Sequence, residues 1–367
     1  MNLLLLSDAN SIHTQKWVFS LVKRGLNLRL FSLFKPNKPV YKLYNNLGVK
    51  IYSADLRQKV WNLRNPNISK ILYISTLPKL KRIVKEFSPD IIHAHYASSY
   101  GILSYLLQFK PTIISVWGSD LYDFPNRNIF NKWILMKVIK SADSVCSTSN
   151  AMREIILNNY NREECYLTPF GVDIDKFIPS EINRETFTVG TIKSIESHNG
   201  IDVIIDAAKI LVHDMNLSNI QFLIVGKGSL LEKMKEKSRK LNLNKNVTFT
   251  GHILHEEIVK YFQRLSIFIA ISTQESFGVS ILEAASCGIP AITSNVGGLP
   301  EVNMNLKTGY IIEANNEKKL SEKILKLYNN DKLRKEMGKK ARERVVEKFE
   351  WNQNLEKMIS IYSKYTK

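Results

Sequence analysis

Residues 266–293 read SIFIAISTQESFGVSILEAASCGIPAIT. Two short apolar runs, Ile267–Ile271 and Ala291–Thr293, flank a segment long enough for one turn and one short helix, Val279–Ser286. Continuous apolar runs of this length, bounded by Gly and Pro, read as strands buried on both faces of a parallel sheet. The junction between them carries Glu275 and Glu283, eight positions apart, where an ordinary buried strand-to-helix turn would hold no acid.

Working outward from this stretch, further strands are expected at Thr186–Gly190, Gln221–Val225 and Val247–Thr250. Amphipathic helices separate them at Ile201–His213, Leu230–Leu241 and Glu256–Arg264. The first half carries the same pattern. Leu3–Leu6 reads as a strand and Thr14–Arg24 as a helix ended by Gly25, with more apolar runs at Pro89–His95, Thr112–Val116 and Ser144–Ser147. Thr148, Ser149 and Asn150 are candidate helix caps after the last of these. The periodicity breaks near Thr168–Asp173, and a helical tail runs from Lys318 to Tyr365 with an interruption at Phe349–Trp351. The expected fold is α/β: two Rossmann-like doubly wound domains, residues 1–169 and 170–349, with residues 350–367 returning as a helix to the first.

The length of 367 residues suits two domains, and an apolar fraction of 44% suits a globular chain. Met1–Leu6 has no basic leader and reads as a buried strand; no apolar run is long enough to span a bilayer. Cys146, Cys165 and Cys287 are too scattered for a zinc or redox motif, so a reduced, cytoplasmic setting is expected. Most of the formal charge of +18 lies in residues 1–170, whose net is +13. Leu56–Lys85 holds eight basic residues and no acid, interleaved with Trp61, Leu63, Ile71, Leu72, Tyr73, Leu77 and Leu80. Such a mixture suits an anionic membrane surface; nucleic acid and a plain solvated helix face are the alternatives.

In doubly wound sheets, ligands sit beyond the carboxyl ends of the strands. After Gln221–Val225 comes Gly226-Lys227-Gly228, after Val247–Thr250 comes Gly251-His252-Ile253, and after Ala291–Thr293 comes Asn295-Val296-Gly297-Gly298. Three glycine turns and an acidic loop at one sheet edge are the makings of a nucleotide site. Each Gly-x-Gly alone is also consistent with nothing more than a tight turn.

The order of these segments is specific. Glu275-Ser276-Phe277-Gly278-Val279 with Glu283-Ala284 and Gly288-Ile289-Pro290 resembles the E-x7-E signature of the retaining glycosyltransferases of family 4, which have the glycosyltransferase-B fold. Pro169-Phe170-Gly171-Val172-Asp173, Val225–Gly228, Val247–Gly251, Gly297–Val302 and Thr308-Gly309-Tyr310 fall where that family has its counterparts. In the first half, Ser11–Trp17, His93-Ala94-His95 and Trp117-Gly118-Ser119-Asp120 are similar to a branch that builds cell-surface polysaccharide, such as lipopolysaccharide or capsule.

The resemblance implies two domains facing across a cleft and transfer of a sugar from a UDP- or GDP-linked donor to a glycan or polyprenyl-linked acceptor. It also implies retention of anomeric configuration, no metal or other cofactor, and action at the inner membrane face. Glu275 would contact the donor sugar and Glu283 the ribose hydroxyls, each carboxylate oxygen accepting from a hydroxyl. The N–H groups of Ser276, Phe277, Gly278 and Val279 would serve the sugar and diphosphate. Lys193 would stabilise the leaving diphosphate; the family's second cation is replaced here by His198, within His198-Asn199-Gly200. Gly226, Lys227, Gly228, Gly251, His252 and Ile253 complete the donor side. On the acceptor side, Asp120 stands where many members have a histidine, and helix capping is its alternative role. His95 would line the crevice, while Asn10 and Ser11 replace a glycine-rich loop. His93 and His95 share a strand face, but no third metal ligand stands near them. A sugar-nucleotide epimerase on the same fold and a basic nucleic-acid-binding protein are the rival readings.

Overall fold

The computed structural model describes residues 1–56, 72–180, 186–254 and 256–366. The chain divides into two compact units, Met1–Thr168 with Leu355–Lys367, and Pro169–Asn354.

The first unit is built on a seven-stranded parallel sheet: β1 (Asn2–Leu6), β2 (Asn27–Phe34), β3 (Lys50–Leu56), β4 (Ile91–His95), β5 (Thr112–Val116), β6 (Ser144–Ser147) and β7 (Tyr166–Leu167). The spatial order is β3-β2-β1-β4-β5-β6-β7. Leu3, Leu4, Leu5 and Leu6 are fully buried, as continuous apolar runs in a parallel sheet must be. Each such side chain taken from water contributes about 1.5–3 kcal/mol. Leu4 and Leu6 pack with Phe31, Ile92, Ile114 and Val145 from neighbouring strands and with Leu135 and Val138 from a covering helix. The helix Trp351–Ser363 ends in this unit, where the Tyr362 hydroxyl bonds His93 Nδ1 at 2.7 Å and the Tyr365 hydroxyl bonds Ser144 Oγ at 2.6 Å.

The second unit carries a six-stranded parallel sheet: β8 (Thr188–Ile192), β9 (Gln221–Val225), β10 (Val247–Gly251), β11 (Ile267–Ala270), β12 (Ala291–Ser294) and β13 (Gly309–Ile312). Its order is β10-β9-β8-β11-β12-β13. Both sheets therefore start at an inner strand, wind outward one way, then return to the other side. That reversal creates a topological switch point, between β1 and β4 in one unit and between β8 and β11 in the other.

Several boundaries differ from expectation. β8 begins two residues later than the Thr186–Gly190 run, and Ile201–His213 is an α-helix only to Lys209, then a π-helical turn over Ile210–Asp214. The tail is three helices, Glu317–Tyr328, Asp331–Lys348 and Trp351–Ser363, the last break falling at Phe349–Glu350. β2, β3, β7 and β13 were not anticipated; β2 and β3 mix polar residues into their runs (Arg29, Ser32, Ser53, Asp55), which blurs the apolar signal.

The basic stretch Leu56–Lys85 is only partly within the described residues: Arg57, Lys59, Arg64 and Lys70 lie outside them, as do Trp61, Leu63 and Ile71. Within the rest, Leu77–Phe87 forms a helix whose Leu80, Ile83 and Phe87 are buried while Lys81, Arg82 and Lys85 face water. On this helix the apolar residues are core, so its outer face is cationic but not amphipathic toward a membrane.

Candidate functional site

The second unit's switch point gathers most of the expected donor residues. Lys193 follows β8 directly and Glu275 lies on the loop after β11, so neighbouring strands deliver them to the same edge. Lys193 Nζ forms an ion pair with Glu275 Oε2, the two side chains retaining 13% and 18% of their exposure. The same ammonium donates to Ser272 Oγ at 2.5 Å. Attraction between unit charges so little exposed is stronger than at a surface, and removing one partner strands the other. Glu275 Oε1 also accepts from Ser276 N at 3.1 Å.

Backbone bonds knit the flanking loops into one platform. Lys193 N donates to Val225 O at 2.9 Å, Ile195 N to Lys227 O at 3.0 Å, and Gly226 N to Gly251 O at 2.9 Å. Thr273 N donates to the carbonyl of His198 at 2.9 Å, and Gly298 N to that of Glu275 at 3.3 Å. His198 is exposed at this rim, as are Lys227 and His252, while Ile253 is half-buried directly after β10.

The glycines are required by the protein's own backbone. A Cβ on Gly226 would stand 1.8 Å from Lys193 O, and one on Gly228 2.2 Å from Ile195 O. Their missing side chains admit the Lys193–Ile195 backbone, so the turn is demanded by the protein itself before any ligand arrives. Gly278 caps the helix Val279–Ser286 at φ 101°, a conformation only glycine adopts freely. Phe277 turns its ring into the core against Phe170 and Phe349, leaving only backbone at the rim. The first-turn N–H groups at this helix start, from Val279 onward, carry the positive end of the helix dipole. Glu283 lies on the same helix and is nearly buried at 8% exposure.

Three residues went unanticipated. Ser272 and Asn199 extend the Lys193 network: Ser272 Oγ reaches Asn199 Oδ1 at 3.4 Å, and Asn199 Nδ2 donates to Ser194 O at 2.9 Å. Glu196 accepts from Ser229 N at 2.9 Å and from its hydroxyl, which holds the carboxyl below its ordinary range. The signal for Ser272 was available, as the first polar residue after a buried strand; Glu196 had none.

In the first unit, two of the residues assigned to the acceptor, Asp120 and His95, are folded inward. Asp120 is fully buried and accepts from Ala97 N at 2.9 Å, Gly118 N at 2.8 Å and Trp117 N at 3.2 Å. Burial raises its pKa, and these three donors pull it back. The carboxylate is engaged on both oxygens and ties the segment after β4 to the one after β5, which matches the capping alternative weighed for it. His95 bonds Ser7 Oγ at 2.9 Å and lies 4.3 Å from the Trp117 ring centroid. Burial, then His93 and His13, hold it well below the usual histidine pKa, which keeps the imidazole neutral. His93 is likewise held down to about 3 by burial, its nitrogens bonded to Tyr362 and Ser115. Asn10 links the loop after β1 to the loop after β2, through Lys35 O at 3.1 Å and Asn37 N at 2.9 Å. Ser11 is the half-buried N-cap of the helix Ile12–Lys23. Among the described residues no group of three potential metal ligands comes together. Tyr96, directly after β4, sits at φ 67°, a strained setting for an aromatic residue, at the first unit's switch point.

Two doubly wound parallel sheets in one chain, the second with an ion pair and helix start at its switch point, define the glycosyltransferase-B class. Residues 173–344 match the family model for glycosyl transferases group 1, and residues 2–149 that for glycosyl transferase 4-like proteins; the chain belongs to this glycosyltransferase family. It is 28% identical to an uncharacterized glycosyltransferase of Methanocaldococcus jannaschii, over 92% of this chain and 94% of that protein. It is 24% identical, over 81% of each chain, to UDP-Gal:alpha-D-GlcNAc-diphosphoundecaprenol alpha-1,3-galactosyltransferase of Escherichia coli. The crystal structure of Anabaena HepE in complex with UDP superposes with a TM-score of 0.81 at 16% identity, covering 99% of this chain and 100% of that one.

Proposed function

We propose that this glycosyltransferase is a retaining, metal-independent enzyme that moves a sugar from a nucleoside diphosphate donor, most simply a UDP-sugar, to a glycan or lipid-linked acceptor in cell-surface polysaccharide synthesis. The observation that carries the proposal is the Lys193–Glu275 pair at the β8/β11 switch point. Without a donor, each neutralises the other. A bound diphosphate competes for the Lys193 ammonium and frees the Glu275 carboxylate to accept from sugar hydroxyls. In transfer, the bond from the anomeric carbon to the diphosphate oxygen breaks and negative charge grows on that oxygen. Lys193 and the helix start at Val279 are fixed positive groups suited to that charge, the role a divalent cation plays in other sites. The acceptor hydroxyl bonds to the anomeric carbon, and its proton passes to the departing phosphate oxygen. Glu283 takes the ribose hydroxyls, and the exposed His198 ring at the rim is placed to donate to the diphosphate. The UDP-linked donor named for the Escherichia coli relative and the UDP in HepE support this base over guanosine. The diphosphoundecaprenol acceptor of that relative supports reaction at an anionic inner membrane face, toward which the cationic segment 56–85 would contribute.

The test is a thermal-shift panel of UDP- and GDP-sugars, followed by transfer to a polyprenyl diphosphate-linked sugar with and without chelator. A UDP-sugar raising Tm, and a product with the donor's anomeric configuration formed in chelator, are expected. Inversion, or conversion of the donor with no acceptor present, would overturn the reading.

A further inference from the structure

The helix Ile129–Ser141 in the first unit carries an unusual outer face. Its inner side is ordinary: Leu135, Val138 and Ile139 are fully buried in the core, and the Asn128 side chain caps it by accepting from Asn131 N at 2.8 Å. The opposite side of its first two turns presents Ile129, Phe130 and Trp133, exposed by 81%, 59% and 49%. Ile129 is the most exposed large apolar residue among those described. Phe130 and Trp133 stack with centroids 5.9 Å apart, and Lys137 Nζ lies 5.7 Å from the Trp133 ring. Arg127, Lys132 and Lys140 are exposed around them, and no acid occurs from Phe124 to Ala142.

We infer that this face is the enzyme's contact with an anionic lipid surface. The inference extends the membrane-side reaction proposed above but places the apolar contact outside segment 56–85. Contiguous exposed apolar side chains mark an interaction surface. What surrounds them selects the partner. A second copy of the chain meeting this face about a two-fold axis would set Arg127, Lys132 and Lys137 against their own counterparts, with no acid to relieve the repulsion. A bilayer bearing phosphatidylglycerol offers the complement: acyl chains for Ile129 and Phe130, the headgroup boundary for Trp133, and phosphates for the cations. The helix Leu77–Phe87 supplies the contrast, since it has the cations but keeps its apolar side chains in the core.

The test uses the full chain in a Trp61→Phe background, because Trp17, Trp117 and Trp351 are buried and Trp133 then reports. Co-sedimentation is measured with vesicles of phosphatidylcholine alone and mixed with phosphatidylglycerol, alongside quenching of Trp133 by brominated lipid. Binding to the mixed vesicles with quenching is expected. Ile129→Ser with Phe130→Ser should weaken it at least about tenfold, from the apolar area lost. Lys132→Glu with Lys137→Glu should weaken the preference for phosphatidylglycerol. Nucleotide-sugar thermal shifts, read on the same variants, should stay unchanged, since both pairs belong to the first unit and the β8/β11 edge to the second. Vesicle binding that survives the apolar pair, sedimentation without Trp133 quenching, or a dimer dispersed by that pair would each overturn the inference. None of these results depends on turnover, so failure of the donor panel would instead strike the functional reading.

Discussion

The two switch points occupy the same place in two sheets of the same winding, yet one holds a partly exposed ion pair and the other a buried hydrogen-bond network. Between β8 and β11, an ammonium and a carboxylate are held together with part of each still open to solvent. Between β1 and β4, a closed set of hydrogen bonds joins Ser7 to Thr14 and His95, while His93 bonds Tyr362 and Ser115. Asp120, close by, spends its charge on three backbone donors. A charge pair with residual exposure can trade one partner for a ligand. A saturated buried network cannot, because every member it gives up is left unsatisfied. The lesson is that ionisable residues after a strand do not by themselves mark a reaction site; exchangeable ones do.

Breaking the charged side should have the largest effect. Glu275→Gln is expected to lower kcat by about 10³-fold and Lys193→Met by about 10²-fold, on the scale of removing a preorganised electrostatic group. The double variant should be no worse than the poorer single, since the two act as a unit. Steady-state kinetics of the purified proteins decide this, and full additivity would separate their roles.

On the buried side, the expected loss is in stability. Asp120→Asn replaces one acceptor oxygen by a donor that faces a backbone N–H, costing about 2–4 kcal/mol. Urea denaturation measures it. A fall in turnover with stability intact would return Asp120 to the reaction and undo the contrast.

The smallest effect is on acid sensitivity. His93 and His95 have folded pKa values below their unfolded value near 6.5. As pH falls below about 6.5 the unfolded chain takes up protons that the folded chain refuses, so stability drops progressively toward about 3. Asp120 runs the other way: its raised pKa adds stability at low pH, lost as pH rises through the folded value. Tm against pH should decline below 6.5, with His95→Gln flattening the curve. An unchanged slope would mean that the imidazoles are not held neutral.

Much of the architecture was legible because parallel strands buried on both faces leave unbroken apolar runs, as Leu3–Leu6 and Ile267–Ala270 do. Edge and mixed strands such as β3 hide their signal behind polar residues. The meeting of Lys193 and Glu275 was legible for a similar reason: both lie in segments that leave strand ends, and topology brings neighbouring strand ends together. Burial was not legible. Nothing in Trp117-Gly118-Ser119-Asp120 says that the carboxylate turns inward, since that depends on Ala97 arriving from another strand. At Gly226–Gly228 the tight-turn alternative was visible in sequence, but not that the close neighbour is the backbone of Lys193–Ile195. The exposed face at Ile129–Trp133 was also silent, because Ile-Phe-Asn-Lys-Trp has the composition of an ordinary core helix.

The first unit is discontinuous in sequence: residues 1–168 form its sheet, and the segment from Leu355 completes it. During synthesis, some two hundred residues must leave the ribosome after the sheet has formed before Tyr362 can reach His93 and Tyr365 can reach Ser144. The nascent sheet therefore waits with His93 short of one partner while the second unit is being made. A fragment ending at Thr168 would reproduce that waiting state indefinitely, and the order in which a ribosome releases the chain makes the second unit the first that can be finished.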